Sequence, residues 1–376
     1  MGFGWDATRD PCDDAVRAAV GQLRVALREL RRAAASDPAG SAAAGGSIDA
    51  DTRVDADLAV HEARKALRRA RAMAELLRPL AGADVARDLI DAVRGARRRL
   101  AEARDAAVLP AALRAAWRER VGPGGVREGR PPGSAVAPLR LLLEGERGAA
   151  PTRVEPVTVA AIAADLEGAR HDLRLLHAAA RAAGGDLEPL GRGLRRMHRR
   201  ARAAGEAARA AVDAAASDAA SHGAVARGDA DGVAVVRDGA AVVCDGAAVV
   251  CDGALHDARK RFKELGYVMR WWAPAWRRPI EAWLQEVDAL VDVIGADHDQ
   301  VILRSRLPAL EGAVDGDLLA RVLVASERRS AGLRAKAARN LARLTAEPSG
   351  AFAARHLAYL ASAREWRLRR GPQRRR

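Results

Sequence analysis

Lysine is nearly missing from this chain. Its 376 residues contain only Lys65, Lys260, Lys263 and Lys336, so arginine supplies almost all of a Lys+Arg total of 63. Asp+Glu reach 49, which leaves a formal net charge of +14. The planar guanidinium fork suits bidentate contact with phosphate oxygens, where an ammonium acts as a point charge. A coding bias toward Arg and Ala accounts equally well for the ratio, but not for where the arginines sit. Aromatics make up only 3%, so cores must come from thin, Ala-rich helices that approach closely. Cysteine is scarce too: Cys12, Cys244 and Cys251 form an odd set with no C-x-x-C pair, against a disulfide framework or a zinc site. No apolar run approaches the ~20 residues a bilayer span requires. The opening MGFGWDATRDPCDD is acidic where a secretion signal is basic and then apolar. A cytoplasmic protein without membrane partners is expected.

Helical periodicity fills most of the chain. Asp10 followed by Pro11 reads as an N-cap with proline at the first helical position, opening a helix to about Ala35. Further helices are predicted at about Leu58–Leu80, Asp84–Ala107, 157–183, 187–216, 254–272, 278–305, 315–345 and 349–369. Outside one insert nothing alternates like a strand, so the fold class is all-α. Residues 121–156 are rich in Gly, Pro and Arg and read as a flexible crossing. It separates a first helical unit (10–120) from a second (157–370), with a basic tail at 371–376. The insert is a low-complexity region spanning about 217–253, whose core at 235–255 reads VVRDGAA, VVCDGAA, VVCDGAL. It is expected to be a linker without chemistry.

The five-residue pattern His-x-Ala-Arg-Lys occurs twice, as HEARKALRRAR at 61–71 and HDARKRFKELG at 256–266. At roughly 100° per residue, Arg64, Arg68 and Arg71 share an arc with His61, with Lys65 at its margin; Ala63, Ala66, Leu67, Ala70, Met73 and Leu77 lie opposite. Likewise Arg259, Lys263 and Arg270 share an arc with His256, facing away from Phe262, Leu265, Val268, Met269 and Trp272. Arg104-Asp105 follows His61 at nearly the spacing at which His298-Asp299 follows His256. Upstream, Arg17, Arg24, Arg28 and Arg31 form one stripe, and Arg192, Arg195, Arg199 and Arg202 another. The second stripe lies 20 residues further from its histidine than the first, close to the length of the three heptads. These matches predict an internal duplication. Two helical bundles related by a pseudo-twofold axis would bring four basic helix faces to one groove or pore. So much like charge costs stability, which an anionic ligand would offset.

The segments AVHEARKALRRARAMAELL, GRGLRRMHRRARAA, LHDARKRFKELGYVMRWW and IGADHDQVIL, in this order, resemble the CHAD domain (conserved histidine α-helical domain), over about residues 10–370. The resemblance implies two helical bundles around a basic channel that binds inorganic polyphosphate. By position it implies His61, Arg64, Lys65, Arg68, Arg195, Arg199, His256, Arg259, Lys260 and Lys263 as polyphosphate-binding residues. The chain departs from the family at His198, where tyrosine is frequent, and at Gly266, where a basic residue is usual. A flexible polyanion with a charge on every phosphoryl unit needs only a line of guanidinium forks, and its binding should weaken with salt. The two histidines could add a charge that depends on pH.

Other readings compete. Asp297-His298-Asp299 suggests a divalent metal, but adjacent helical residues diverge, so a structural role such as pairing with an arginine is expected, and no metal or other cofactor. Trp271, Trp272, Trp276 and Trp283 could stack bases, though Trp272 falls on the apolar arc. Neither a G-x-x-x-x-G-K-[ST] loop nor a G-x-S-x-G elbow occurs, and the acidic strand motif of the CYTH domain, a frequent companion of CHAD domains, is absent. A protein that binds without catalysing is expected. The alternative is a helical nucleic-acid-binding protein using the same basic surface nonspecifically; a metal-dependent phosphohydrolase centred on His298 is the outsider. Oligomeric state is not legible.

Overall fold

The computed structural model describes residues 3–35, 50–81, 83–100, 156–225 and 246–370, and these are helical throughout apart from short connections. The helices are α1 (Pro11–Ala35), α2 (Ala50–Ala81), α3 (Ala83–Arg99), α4 (Pro156–Gly168), α5 (Arg170–Ala182), α6 (Glu188–Val225), α7 (Gly246–Trp272), α8 (Arg277–Arg306), α9 (Gly316–Leu344) and α10 (Ser349–Arg370). The all-α expectation holds. The crossing at 121–155, the Arg104-Asp105 pair and the tail at 371–376 lie outside the described residues.

Local chemistry sets several boundaries. The Asp10 carboxylate accepts from the backbone N–H groups of Cys12 (2.9 Å) and Asp13 (3.1 Å), so the N-cap read from the sequence is in place ahead of Pro11. Asp315 caps α9 through the N–H of Leu318 at 2.9 Å. Between α5 and α6 the chain reverses on Gly184 and Gly185, with φ of +56° and +90°, backbone that favours glycine. The Arg364 guanidinium donates to the Gly185 carbonyl at 2.8 Å.

Two expectations need correcting. The single helix predicted at 157–183 is two, interrupted at Ala169. The heptad region is not merely a linker: α6 runs on to Val225 and α7 begins at Gly246, so both ends of the 217–253 span are helical. The last heptad joins α7 because Cys251 is fully buried and Asp252 pairs with Arg334 of α9. Repeated Asp-Gly hides this from the sequence; the tertiary partners outweigh glycine's low helix propensity.

The helices share one extensive core. Ala15, Ala19, Ala26, Ala63, Ala66 and Ala70 are buried along α1 and α2, and these two helices pack against each other more extensively than any other pair. Leu67, Met73, Phe262, Trp271, Trp272 and Phe352 are the bulky fully buried members. α6 packs on α7, α7 on α8 and α8 on α9, while α2 touches both α6 and α7. At one crossing of α2 and α6 only glycine fits, because a β-carbon at Gly193 would collide with the Leu76 carbonyl oxygen. A smaller cluster of Leu303, Leu307, Leu310, Leu318, Leu319 and Val322 sits under the turn joining α8 to α9. The N-terminal segment is stitched across the end of α7: Trp5 N–H donates to the Trp271 carbonyl (2.8 Å), and buried Asp14 accepts from Asp6 N–H (3.1 Å) and the Trp271 indole (3.2 Å).

Candidate anion-binding site

The helix carrying the first His-x-Ala-Arg-Lys and the helix carrying the second are neighbours. α2 and α7 pack together, and Arg71 of α2 bridges to Glu264 of α7 at 2.8 Å with both side chains largely buried. Arg261, one turn before Glu264 on α7, approaches the same carboxylate at 3.6 Å.

From α3, Arg97 enters this group. Its guanidinium is pushed down to about 10, first by burial and then by the positive charges of Arg68 and Arg71; Glu264 counters and Arg64 adds to the repulsion. Four guanidiniums from α2 and α3 therefore lie within electrostatic reach of one another, with Glu264 the acid among them. Arg64 also donates to the carbonyl of Leu100, just past α3, at 2.7 Å.

The same face of α2 continues toward α6. Glu75, 4% exposed, receives Arg196 at 3.3 Å and Arg200 at 3.1 Å, so one carboxylate serves two cations. Arg196 also donates to the Glu75 carbonyl, and its Nε is buried without a hydrogen-bond partner. Burial lowers the Arg196 pKa, with Arg78, Arg200 and Arg199 adding repulsion against the attraction of Glu75. Residues 64, 68, 71, 75 and 78 of α2 thus trace one stripe, about 20 Å long at 1.5 Å per residue, flanked by arginines of α3 and α6.

On α7, His256 stands beside His298 of α8, with ring centroids 5.2 Å apart. Its Nδ1 is buried without a hydrogen-bond partner, and its pKa is lowered, chiefly by burial and then by Lys260, His298 and Arg259, with Asp257 opposing. Arg259 Nε donates to the Val291 carbonyl of α8 at 3.1 Å. Its guanidinium lies flat against α8, where a β-carbon at Gly295 would come within 2.7 Å of it. Arg64 and Arg259, third residues after the two histidines, so make the same kind of contact with the chain that follows their own helix.

The structure gathers Arg64 and Arg68 with Arg71 and Arg97, and gathers His256, Arg259 and Lys260 beside His298. Arg199 stands near Arg196 at the α6 end of the stripe. Lys65 is half-exposed and paired with Glu62 at 3.2 Å. His61 is exposed and Lys263 partly buried. Arg195 and Arg199 are exposed on α6 with no ion pair among the described residues. The α1 stripe is exposed, with Arg17 bound to Asp13 at 2.6 Å and Arg28 to Glu29 at 2.9 Å, as a solvated helix face would be. Asp297 is paired with Arg334 at 3.2 Å, the structural role expected for it. Sequence reading missed Arg97, Arg196 and Arg200 as members of the site. The available signal was Gly193, three residues before Arg196, which marks the close approach of α2 and α6.

An all-helical chain in which arginines from three helices crowd around single carboxylates defines a class, that of helical proteins with a cationic interhelical surface. A family model for the CHAD domain matches residues 47–308. The match covers more than two thirds of the chain, which therefore belongs to the CHAD domain family, associated in general with polyphosphate binding. No curated protein matches the chain, and no solved structure does. Among the described residues no helix is long and apolar enough to cross a membrane.

Proposed function

We propose that the chain binds inorganic polyphosphate along the arginine stripe of α2 and the faces of α3, α6 and α7 beside it, without catalysis. The contributing residues are His61, Arg64, Lys65, Arg68, Arg195, Arg199, His256, Arg259, Lys260 and Lys263, to which Arg97, Arg196 and Arg200 are added. The observation that carries this reading is the Arg97 cluster: burial and the nearby charges of Arg68, Arg71 and Arg64 disfavour the Arg97 cation, with Glu264 opposing them, a cost that an incoming polyanion offsets. A chain of phosphoryl groups can run along such a stripe without fixed register, each fork making charge-assisted hydrogen bonds.

The proposal includes an internal duplication, α1–α3 of the first unit matching α6–α8 of the second about a pseudo-twofold axis near the α2–α7 contact. The paired behaviour of Arg64 and Arg259 supports it, as do the equivalent packings of α1 on α2 and α6 on α7. A cytoplasmic protein held at polyphosphate granules is the setting this activity suits.

Purified protein should bind long-chain polyphosphate at physiological salt and release it only weakly to duplex DNA of equal charge. Combined Arg68→Ala and Arg97→Ala should weaken binding at least tenfold, at roughly 1.5–3 kcal/mol for each charge-assisted hydrogen bond lost. Equal displacement by DNA, or wild-type affinity in the double variant, would count against the proposal.

A further inference from the structure

Aromatic side chains are few here, and among the described residues most are buried. Trp5, Trp271 and Trp272 are 3%, 0% and 0% exposed, whereas Trp276 and Trp366 are 52% and 50% exposed. The two exposed indoles belong to one edge of α10. Trp276, in the turn before α8, meets Tyr359 of α10 edge to face at 4.5 Å. Trp366 lies seven residues beyond Tyr359 on nearly the same side of that helix, about 10 Å along its axis at 1.5 Å per residue.

A ladder of rings fixes this edge from within. Buried His198 stacks on Phe352 at 4.1 Å, Phe352 meets His356 at 4.2 Å, and His356 meets Tyr359 at 5.5 Å. Trp276 is the outermost ring of that series. Arginines accompany it: Arg355 lies over Tyr359 at 5.8 Å and is held by Glu347, and Arg367 lies over Trp366 at 5.8 Å. Arg277 and Arg278 follow Trp276 directly, and both are exposed.

We propose that this edge of α10 is a second binding surface, for single-stranded nucleic acid, with bases stacking on Trp276 and Trp366 and phosphates following the arginines beside them. Charge selects the partner. The large apolar groups exposed along this edge are the two indoles, set among arginines, whereas insertion into a lipid surface calls for a continuous apolar face. Two exposed indoles set apart along one helix edge, each with guanidiniums beside it, suit the spacing of bases on a single strand, with its phosphates meeting the arginines. Polyphosphate has no ring to place on an indole, and duplex DNA keeps its bases covered. The two indoles stand on α10 and in the turn before α8, not on the helices that carry the α2 stripe, although Arg195 of α6 approaches the start of α10 at Gly350; α10 lies beyond the stretch matched by the family model.

The test compares fluorescein-labelled oligothymidylate, duplex DNA of equal charge, and polyphosphate, each titrated against the full chain at a salt concentration that releases the duplex. Oligothymidylate should remain bound, and Trp276→Ala with Trp366→Ala should weaken it about tenfold per indole, the scale of base stacking on aromatic rings. Polyphosphate affinity should not move, and Trp276→Phe with Trp366→Phe should keep most of the binding. Unchanged oligothymidylate affinity in the alanine variant would overturn the proposal. So would equal weakening toward polyphosphate. Retained polyphosphate binding in every variant keeps this outcome distinct from failure of the primary site.

Discussion

Arg97 carries the sharpest trade between stability and binding. Its pKa falls to about 10 because burial and neighbouring arginines disfavour the charged form, so at neutral pH it remains cationic at a cost to the fold. Arg97→Met should raise the melting temperature of the ligand-free protein, by about 2–4 °C per kcal/mol relieved, while polyphosphate affinity falls roughly tenfold. Thermal unfolding with and without polyphosphate reads both effects. His198 sets a pH dependence of its own. Burial against Phe352 lowers its pKa from 6.5 to about 4, as burial does for His356. Depressed values mean that the folded state keeps these rings neutral while the unfolded chain protonates them. The stability they contribute is present above about pH 6.5 and is lost as pH falls toward 4. His198→Tyr should flatten that acid limb in urea unfolding; an unchanged slope would place the proton uptake elsewhere. The histidine and arginine arcs of α2 and α7 were legible because helical period alone assigns a face. Arg97 was not, because its place depends on how α3 lies against α2, which no local pattern encodes.

At the scale of the element, the first two turns of α7 show how a repetitive stretch acquires structure. Arg334 of α9 reaches Asp252 and, at 3.2 Å, buried Asp297 of α8, joining three helices. Arg304 adds hydrogen bonds to Ser326 (3.2 Å) and Ser330 (2.8 Å) beside them. Removing the cation leaves Asp297 buried without its ion-pair partner, and breaking such a pair costs about 3–5 kcal/mol. Arg334→Met should therefore destabilise by that order and fray α7 back from Gly246. Adding Asp297→Asn should recover much of the loss, and a denaturant double-mutant cycle measures the coupling. The sequence could not announce this arrangement: the second heptad, VVCDGAA, is nearly the same as the third, so nothing local marks Asp252 as the partner of Arg334. The break at Ala169 was hidden for a similar reason, since continuous periodicity on both sides of an alanine reads as one helix.

For the whole molecule, the family boundary and the folding boundary differ. The matched stretch ends at 308 and begins at 47, yet α1 covers α2 with Leu23, Leu30 and a row of buried alanines, and α9 and α10 cover α6. A fragment trimmed to 47–308 would expose those apolar surfaces, and it should fail to give the cooperative unfolding transition of the full chain. Polyphosphate should stabilise the full chain with the logarithm of ligand concentration over Kd. That gain should shrink steeply with added salt, as counterion release requires. The fold class was open to sequence reading because Ala-rich amphipathic period repeats for most of the chain.

The near-absence of lysine gives this architecture an unusual chemical handle. Of the four amines borne by lysine side chains, Lys65, Lys260 and Lys263 lie within the two histidine-headed segments, and only Lys336 is elsewhere. Acylating or methylating reagents that discriminate amines from guanidiniums would consequently write three of the four lysine marks on the histidine-headed segments of α2 and α7, with Lys336 as an internal reference. The pattern of protected amines would then serve as a footprint of any polyanion resting there.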